Sequence, residues 1–375
     1  MTTAHATGAL ENPYPADSIL VETLTKLLGS TCSHEVVQEA EAAGWAPAVW
    51  SALAPTGAPW VGVPTEGGGS GGTWADALAV ARLCGRFACP LPVVETGLLG
   101  GWLLAGAGIA LPDGPVTVVP GRAEDTLRLD GDRLSGTAHN VPWAAASERI
   151  VALVGDQVCS AEPAVANVAP RRNLAGEPRE VVTFEGAVVE RAPAAAGVDA
   201  AALRLRGALA RAALMTGALE RAGELTVEYA NERQQFGKAV ASFQAVAAQL
   251  VRLASEAQLV LMAQHTATAA LSRAGEPGGD AASRCAFEVA SFKAVAGEGA
   301  SLVTARAHQA HGAIGMTQEY ALHQLTRRLW SWREEFGSTA SWRREVGRSV
   351  AEAGPGRVWE LVNEGSASLA AVRGT

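Results

Sequence analysis

The 375-residue chain has few cysteines, and no two of them stand at metal-binding spacing. The five cysteines, at 32, 84, 89, 159 and 285, are scattered and odd in number. That excludes a disulfide-stapled scaffold or a zinc ribbon and points to reduced thiols in a cytoplasmic core. Basic charge is also short: 30 Lys and Arg against 38 Asp and Glu leave a net charge of −8. Such a balance argues against nucleic acid or an anionic membrane as the main partner, although one arginine or a helix N-terminus can still hold a phosphate. Long apolar runs are missing too. The most apolar stretch, "TGLLGGWLLAGAGIAL" at 96–111, is too short and too glycine-rich to cross a bilayer and reads as a buried helix. The first residues, "MTTAHATGALENPYPADS", show neither a basic n-region nor an apolar h-region, so no signal peptide is expected. The expectation is a soluble protein of the cytoplasm.

What the chain does have is a hydrophobic period that changes along its length. From about Ser18 to Gly108 it is helical, as in "VVQEAEAAGWAPAVWSAL" and "WADALAVARLCGRFA". Between Leu111 and Pro193 short β-branched runs take over, among them "RIVALVGDQVCSAE" and "REVVTFEGAVVER", and "LDGDRL" reads as a hairpin turn. Helices then return. One runs from about Ala201 to Arg233; the next starts near Ser242 as N-cap, with Phe243, Val246, Ala247, Leu250, Leu253 and Ala254 at helical spacing. "GEPGG" at 275–279 closes it, another helix runs to about His308, and a shorter one follows "HGAIGMTQ". The class is α+β: an N-terminal helical domain (1–110), a small middle β domain (111–195), a C-terminal helical bundle (196–350) and a tail (351–375).

Two motifs tempt and are set aside. "PTEGGGSGGT" at 64–73 lacks the Gly-Lys-Ser/Thr ending of a phosphate loop and follows no clear strand, so a flexible turn between helices is the better reading. His308, His311 and His323 have no acidic partners in metal-ligand pattern, and the first two flank a glycine loop, so no metal is expected. No nucleophile elbow or Ser-His-Asp order supports a hydrolase.

The stretch "NERQQFGKAVASFQ" at 231–244 breaks a good helix with Phe236-Gly237. Gly237 is expected to end the helix, leaving Arg233 in its last turn, where a guanidinium fork suits a diphosphate. From the residues alone the favoured reading of Arg233 is a surface ion pair with Glu232 or Glu228, and that of Gln244 and Gln309 is helix-end capping.

Together with "QAHGAIGMTQEYALHQLTRR" at 309–328 and "WVGVPTEGGGSGG" at 60–72, this stretch resembles the acyl-CoA dehydrogenase family. The order of helices, β domain and four-helix bundle is that family's as well. The resemblance implies an FAD-dependent oxidoreductase that desaturates an acyl-CoA thioester, with electron-transfer flavoprotein as acceptor. It further implies that Arg233 and Phe236 meet the pyrophosphate and adenosine of FAD in a neighbouring subunit, with Gln244, Gln309 and the backbone at Gly312 completing the wall.

The family's catalytic positions are a different matter. Abstraction of an α-proton beside a thioester needs a placed carboxylate. Where the family carries its glutamate before Gly-Thr, this chain reads Phe336-Gly337-Ser338, with Glu335 one residue early. A second family location for the base falls on Gly207, with Ala208 where an arginine often follows. The flavin-ring signature Thr-Glu-Pro-Gly-x-Gly-Ser-Asp has no match in "PVTVVPGRAED", and Trp-Ile-Thr-Asn falls on Asn140, Val141, Pro142 and Trp143. Hence no catalytic residue is assigned. The expected function is the degenerate partner in a heteromeric dehydrogenase resembling those of actinobacterial steroid degradation; the assembly is left open between a heterotetramer and a homo-oligomer. The alternatives are a self-sufficient dehydrogenase that uses Glu335 as a displaced base, and a scaffold without cofactor. Trp330, Trp332 and Trp342 fit either a substrate wall or bundle core.

Overall fold

The structure, a computed structural model, describes residues 14–366. Five helices come first: α1 Ser18–Thr31, α2 His34–Ala43, α3 Pro47–Leu53, α4 Trp74–Arg86 and α5 Trp102–Gly106. Eight strands follow: β1 Val116–Val118, β2 Arg128–Asp130, β3 Arg133–Pro142, β4 Arg149–Val154, β5 Gln157–Ala161, β6 Asn167–Ala169, β7 Arg179–Val188 and β8 Glu190–Pro193. Then come α6 Ala200–Glu232, a hairpin of β9 Gln234–Gln235 and β10 Lys238–Ala239, α7 Gln244–Ala274, α8 Ala281–Arg284, α9 Ala286–His311, α10 Leu322–Glu334, α11 Thr339–Ala353 and α12 Val358–Glu364.

Local chemistry sets these boundaries. Asp17 caps α1 by accepting from the amides of Ile19 and Leu20, and Thr73 with Asp76 forms a reciprocal capping box on α4. Asp199 caps α6 through the amide of Ala202. At the other ends, Gly275 and Gly312 stop α7 and α9 in conformations that suit glycine. The strands form two four-stranded sheets, ordered β1-β4-β5-β8 and β2-β3-β7-β6, with "LDGDRL" closing the β2–β3 hairpin. Helices α6, α7, α9 and α10 pack together as the C-terminal bundle, and α4 lies along α6. Two glycines allow that last contact: a Cβ on Gly85 would overlap the Leu214 carbonyl, and one on Gly217 would overlap the Arg82 carbonyl. The fold is α+β, as expected.

Several local expectations are corrected. Gly237 does not end α6; the helix stops at Glu232, with Arg233 as its extended C-cap. Phe236 (φ 52°) and Gly237 (φ 79°) instead form the two central residues of a tight hairpin turn, both left-handed. Nor does Ser242 cap α7, because its hydroxyl turns back to the Ala239 carbonyl and Phe243 takes the N-cap position without a side-chain bond. The apolar stretch at 96–111 is buried, but its first part is a π-helical turn, Glu95–Gly101, leading into the short α5. The glycine-rich 64–73 segment is a turn folded on itself, with the Gly71 amide donating to Val63 O. All five cysteines are free and buried. Trp332 and Trp342 belong to the core, whereas Trp330 is 38% exposed.

Candidate functional site

Glu335 sits just past the last turn of α10, where Lys293 fixes the backbone by donating to the carbonyls of Trp332 (2.6 Å) and Arg333 (3.2 Å). Its carboxylate is clamped on both sides. Oε1 accepts from Arg179 Nε at 2.8 Å and Oε2 from Arg211 Nε at 2.5 Å. Burial works to raise its pKa, but the two guanidinium groups outweigh burial and hold it at about 2. A carboxylate so acidic and so fully engaged is a poor proton acceptor at neutral pH.

The clamp belongs to a longer chain of charges. Arg211 also binds Glu95 (2.5 Å), Arg179 binds Glu177 (3.0 Å), Glu177 meets Arg328 (3.3 Å), and Glu41 holds both Arg328 (2.9 Å) and Arg327 (2.5 Å). Four arginines thus alternate with four glutamates, and the formal charges cancel. They come from α2, the π-helical turn, the start of β7, α6 and α10, so the chain ties N-terminal and C-terminal helices to one of the two sheets. Buried ion pairs of this kind add little net stability over an apolar core, but losing one partner strands the other.

Beside the clamp, the two positions that the resemblance assigns to the base meet in space. Phe336 adopts φ 53°, and its ring lies over Gly207 on α6 so closely that a Cβ there would overlap it. The backbone carbonyl of Phe336 accepts from the indole of Trp342 at 3.1 Å, which holds the ring in place. An aromatic ring therefore fills the volume where either carboxylate would have stood. The glycine at 207 is the condition for that filling.

A cavity of about 480 Å³ remains alongside, lined by the 120–124 loop, Asn140, Arg204, Arg211, Glu335 and Phe336. The loop that replaces the family's ring-binding signature carries an Arg122–Glu124 ion pair at 2.5 Å. Trp143, in the stretch aligned with Trp-Ile-Thr-Asn, is turned into the core: its indole donates to Gly44 O at 3.1 Å and lies under the Arg179 guanidinium at 4.8 Å. Both features use polar groups for internal contacts.

The five residues predicted to touch cofactor lie elsewhere, at one end of the bundle. Stacking of Tyr229 on His311, with ring centres 4.5 Å apart, joins the ends of α6 and α9, and Arg306 bonds Gln249 across to α7. Arg233, Phe236, Gln244, Gln309 and Gly312 are all exposed there. Phe236 is 92% exposed although its backbone is strained, and it meets Phe243 edge to face. Glu228, one of the two candidate partners for Arg233, is engaged by Arg221 at 3.2 Å. Among the described residues Arg233 makes no ion pair, and Gln244 and Gln309 make no side-chain hydrogen bond.

Of the histidines weighed for metal, His308 pairs with Thr326, His311 with Ala307 O, and His323 with Arg327. The sequence reading missed the ion-pair chain altogether. Its members are separated by up to 294 positions (41 to 335), and nothing in their local sequence marks them as neighbours.

Residues 197–351 match the family model described as acyl-CoA dehydrogenase, C-terminal domain. The chain is 31% identical to acyl-CoA dehydrogenase IpdE2 of Mycobacterium tuberculosis, over 83% of this chain and 89% of that protein. Among solved structures it is similar to the ChsE4-ChsE5 complex from Mycobacterium tuberculosis, with a TM-score of 0.77 at 21% identity, covering 89% of this chain and 96% of that one. A Tcur3481-Tcur3483 steroid ACAD variant is similar to the same degree, with TM-score 0.77, 21% identity, and 89% and 97% covered. Both structures share the fold.

Proposed function

Because the chain belongs to the acyl-CoA dehydrogenase family, we propose that it is the base-less subunit of a heteromeric dehydrogenase and completes the FAD site of a competent partner. One observation carries this reading: Phe336 stacks over Gly207 while Glu335 is neutralised by Arg179 and Arg211, so the family's base site is filled and its nearest carboxylate is spent. The same geometry weighs against a self-sufficient dehydrogenase with Glu335 as base.

When bound, FAD supplies the hydride acceptor. The chain's own ring pocket does not suit it, since the remaining cavity is walled by a charged loop and its tryptophan is committed to Gly44. The exposed end of the bundle does suit part of a partner's cofactor. Arg233 offers an unpaired guanidinium fork for pyrophosphate, Phe236 a bare ring for the adenosine, and Gln244 and Gln309 free amides, while Gly312 (φ 66°) has nothing within 4 Å of a would-be Cβ. The apolar helix α7 supports assembly as well: by length and composition it could cross a membrane, but here it packs on α6 and α9 and leaves Val251 and Leu259 more than half exposed. We assign that face to a second family member. The two-component ChsE4-ChsE5 and Tcur3481-Tcur3483 structures support a heteromer, and the steroid named in the second supports a polycyclic acyl-CoA as substrate. Electron-transfer flavoprotein and a cytoplasmic setting complete the proposal.

The test is co-expression with a family member that retains its base, followed by flavin and turnover measurements. The expected result is an active complex whose FAD is lost on Arg233→Ala. An active homo-oligomer of this chain alone would overturn it.

A further inference from the structure

A second recess, of about 740 Å³, opens between the 64–68 turn, the end of α5 and the 108–113 segment. It shares no residue with the ion-pair chain, the Phe336 clamp or the exposed end at Arg233. Glycine shapes one wall. A Cβ at Gly67 would stand 2.8 Å from that of Ala105 on α5, and Gly68 (φ 86°) turns left-handed beside Leu111. The glycine run at 64–73 therefore lets the turn lie against the helix. Its amides are not free for an anion, because Gly67 and Gly69 donate to Pro64 O and Gly68 donates to Thr65 O.

Apart from this turn the walls are largely apolar, with Trp60, Trp102, Ile109 and Leu111 among them. Trp60 and Leu111 are partly exposed, so both present surface to a ligand. Two charged side chains line the recess, Glu66 and Asp113, and both are exposed. Neither makes an ion pair or a side-chain hydrogen bond among the described residues. The groove between α4 and α6 is built differently: there Glu220 is met by Arg82 at 3.0 Å and Glu224 by Arg86 at 2.6 Å. Arg206, which stacks on Trp102 at 4.5 Å and on Trp74 at 4.8 Å, is fully buried and pairs with neither Glu66 nor Asp113.

These features select the charge of a ligand. An anion would meet two carboxylates and no free donor, and a neutral molecule would leave both carboxylates unused. A cation with an apolar body uses the carboxylates and the indole together, since the face of a tryptophan attracts positive charge.

We propose that this recess binds an organic ammonium ion with an aromatic body, its charged head held by Glu66 and Asp113 and its ring against Trp60 and Leu111. The site is independent of the dehydrogenase reading. The probe is phenethylamine, an ammonium ion at neutral pH, titrated into the full-length chain at low salt and followed by ligand-observed NMR. Saturable binding is expected. The alcohol 2-phenylethanol, which has the same body without the charge, should bind at least about threefold less tightly. The double variant Glu66→Gln/Asp113→Asn should weaken binding of the amine by about threefold or more without lowering Tm, since neither carboxylate has an internal bond to lose. Trp60→Leu should weaken it about twofold or more. Absence of saturable binding, equal affinity for 2-phenylethanol, or unchanged affinity in the double variant or in Trp60→Leu would each overturn the proposal.

Discussion

The interior around Glu335 and the exposed end around Arg233 treat their polar groups in opposite ways. Inside, each carboxylate in the ion-pair chain is matched by guanidinium, and Phe336 and Gly207 fit together without room for a further side chain. At the end of the bundle an arginine and two glutamines stand in solvent with no side-chain partner among the described residues, beside a phenylalanine that meets only the edge of Phe243. The difference teaches where the chain is complete and where it waits for something. Interior charges paired with one another tie distant elements together, and polar groups displayed beside a strained hairpin leave a surface open to contact.

The sharpest way to break this contrast is to put a carboxylate back. Gly207→Glu drives a side chain into the Phe336 ring and buries an extra charge, so a loss exceeding about 5 kcal/mol and failure to fold are expected. Adding Phe336→Gly should restore soluble protein by opening the space. Thermal unfolding of both variants checks the steric reading, and a stable single variant would refute it.

Next in size is Glu335→Gln, which leaves Arg179 and Arg211 facing a neutral amide. Breaking such a buried pair costs about 3–5 kcal/mol, visible in urea unfolding. Turnover per assembled complex should stay near that of the parent, whereas loss of a true base would lower it by roughly 10²–10⁴-fold.

Acid titration probes the same clamp more gently. The Glu335 pKa falls from 4.5 in the unfolded chain to about 2 when folded. Its stabilisation is therefore complete above pH 4.5 and disappears as the pH falls toward 2, about 3 kcal/mol over that window. The Glu335→Gln variant should show a correspondingly shallower loss in denaturation measured from pH 5 to 2.

At the exposed end the effects move from stability to binding. Arg233→Ala should leave Tm unchanged and weaken FAD retention in the complex about tenfold or more, since a charge-assisted bond contributes roughly 1.5–3 kcal/mol. Phe236→Gly has the smallest expected effect on the isolated chain, within about 1 kcal/mol, because relief of positive φ offsets the added chain entropy. Dialysis followed by flavin absorbance separates these outcomes from a purely structural role.

The residues grouped at the exposed end are near one another in the sequence, whereas those of the interior are not, for physical reasons. Arg233, Phe236 and Gln244 lie within 12 positions and interrupt a helical pattern, so their neighbourhood is local. Helix α6 begins within one residue of its expected start for the same reason, through Asp199 and a long apolar repeat. The hairpin after Arg233 went unread because Phe is a rare choice at a left-handed turn position, although Gly237 at the second position was a signal. Gly207 and Phe336 were each visible as lost carboxylates, but their contact depends on how α6 packs beside the end of α10. The ion-pair chain joins eight residues brought together by tertiary structure, and no period or motif encodes such a set.

The central claim is that this chain supplies half of a cofactor site and none of the base. The direct measurement is FAD content per chain, with the protein purified alone and again after co-expression with a base-bearing family member. The account predicts essentially colourless protein alone and one FAD for each pair of unlike chains in the complex. Stoichiometric FAD bound to this chain by itself would contradict it.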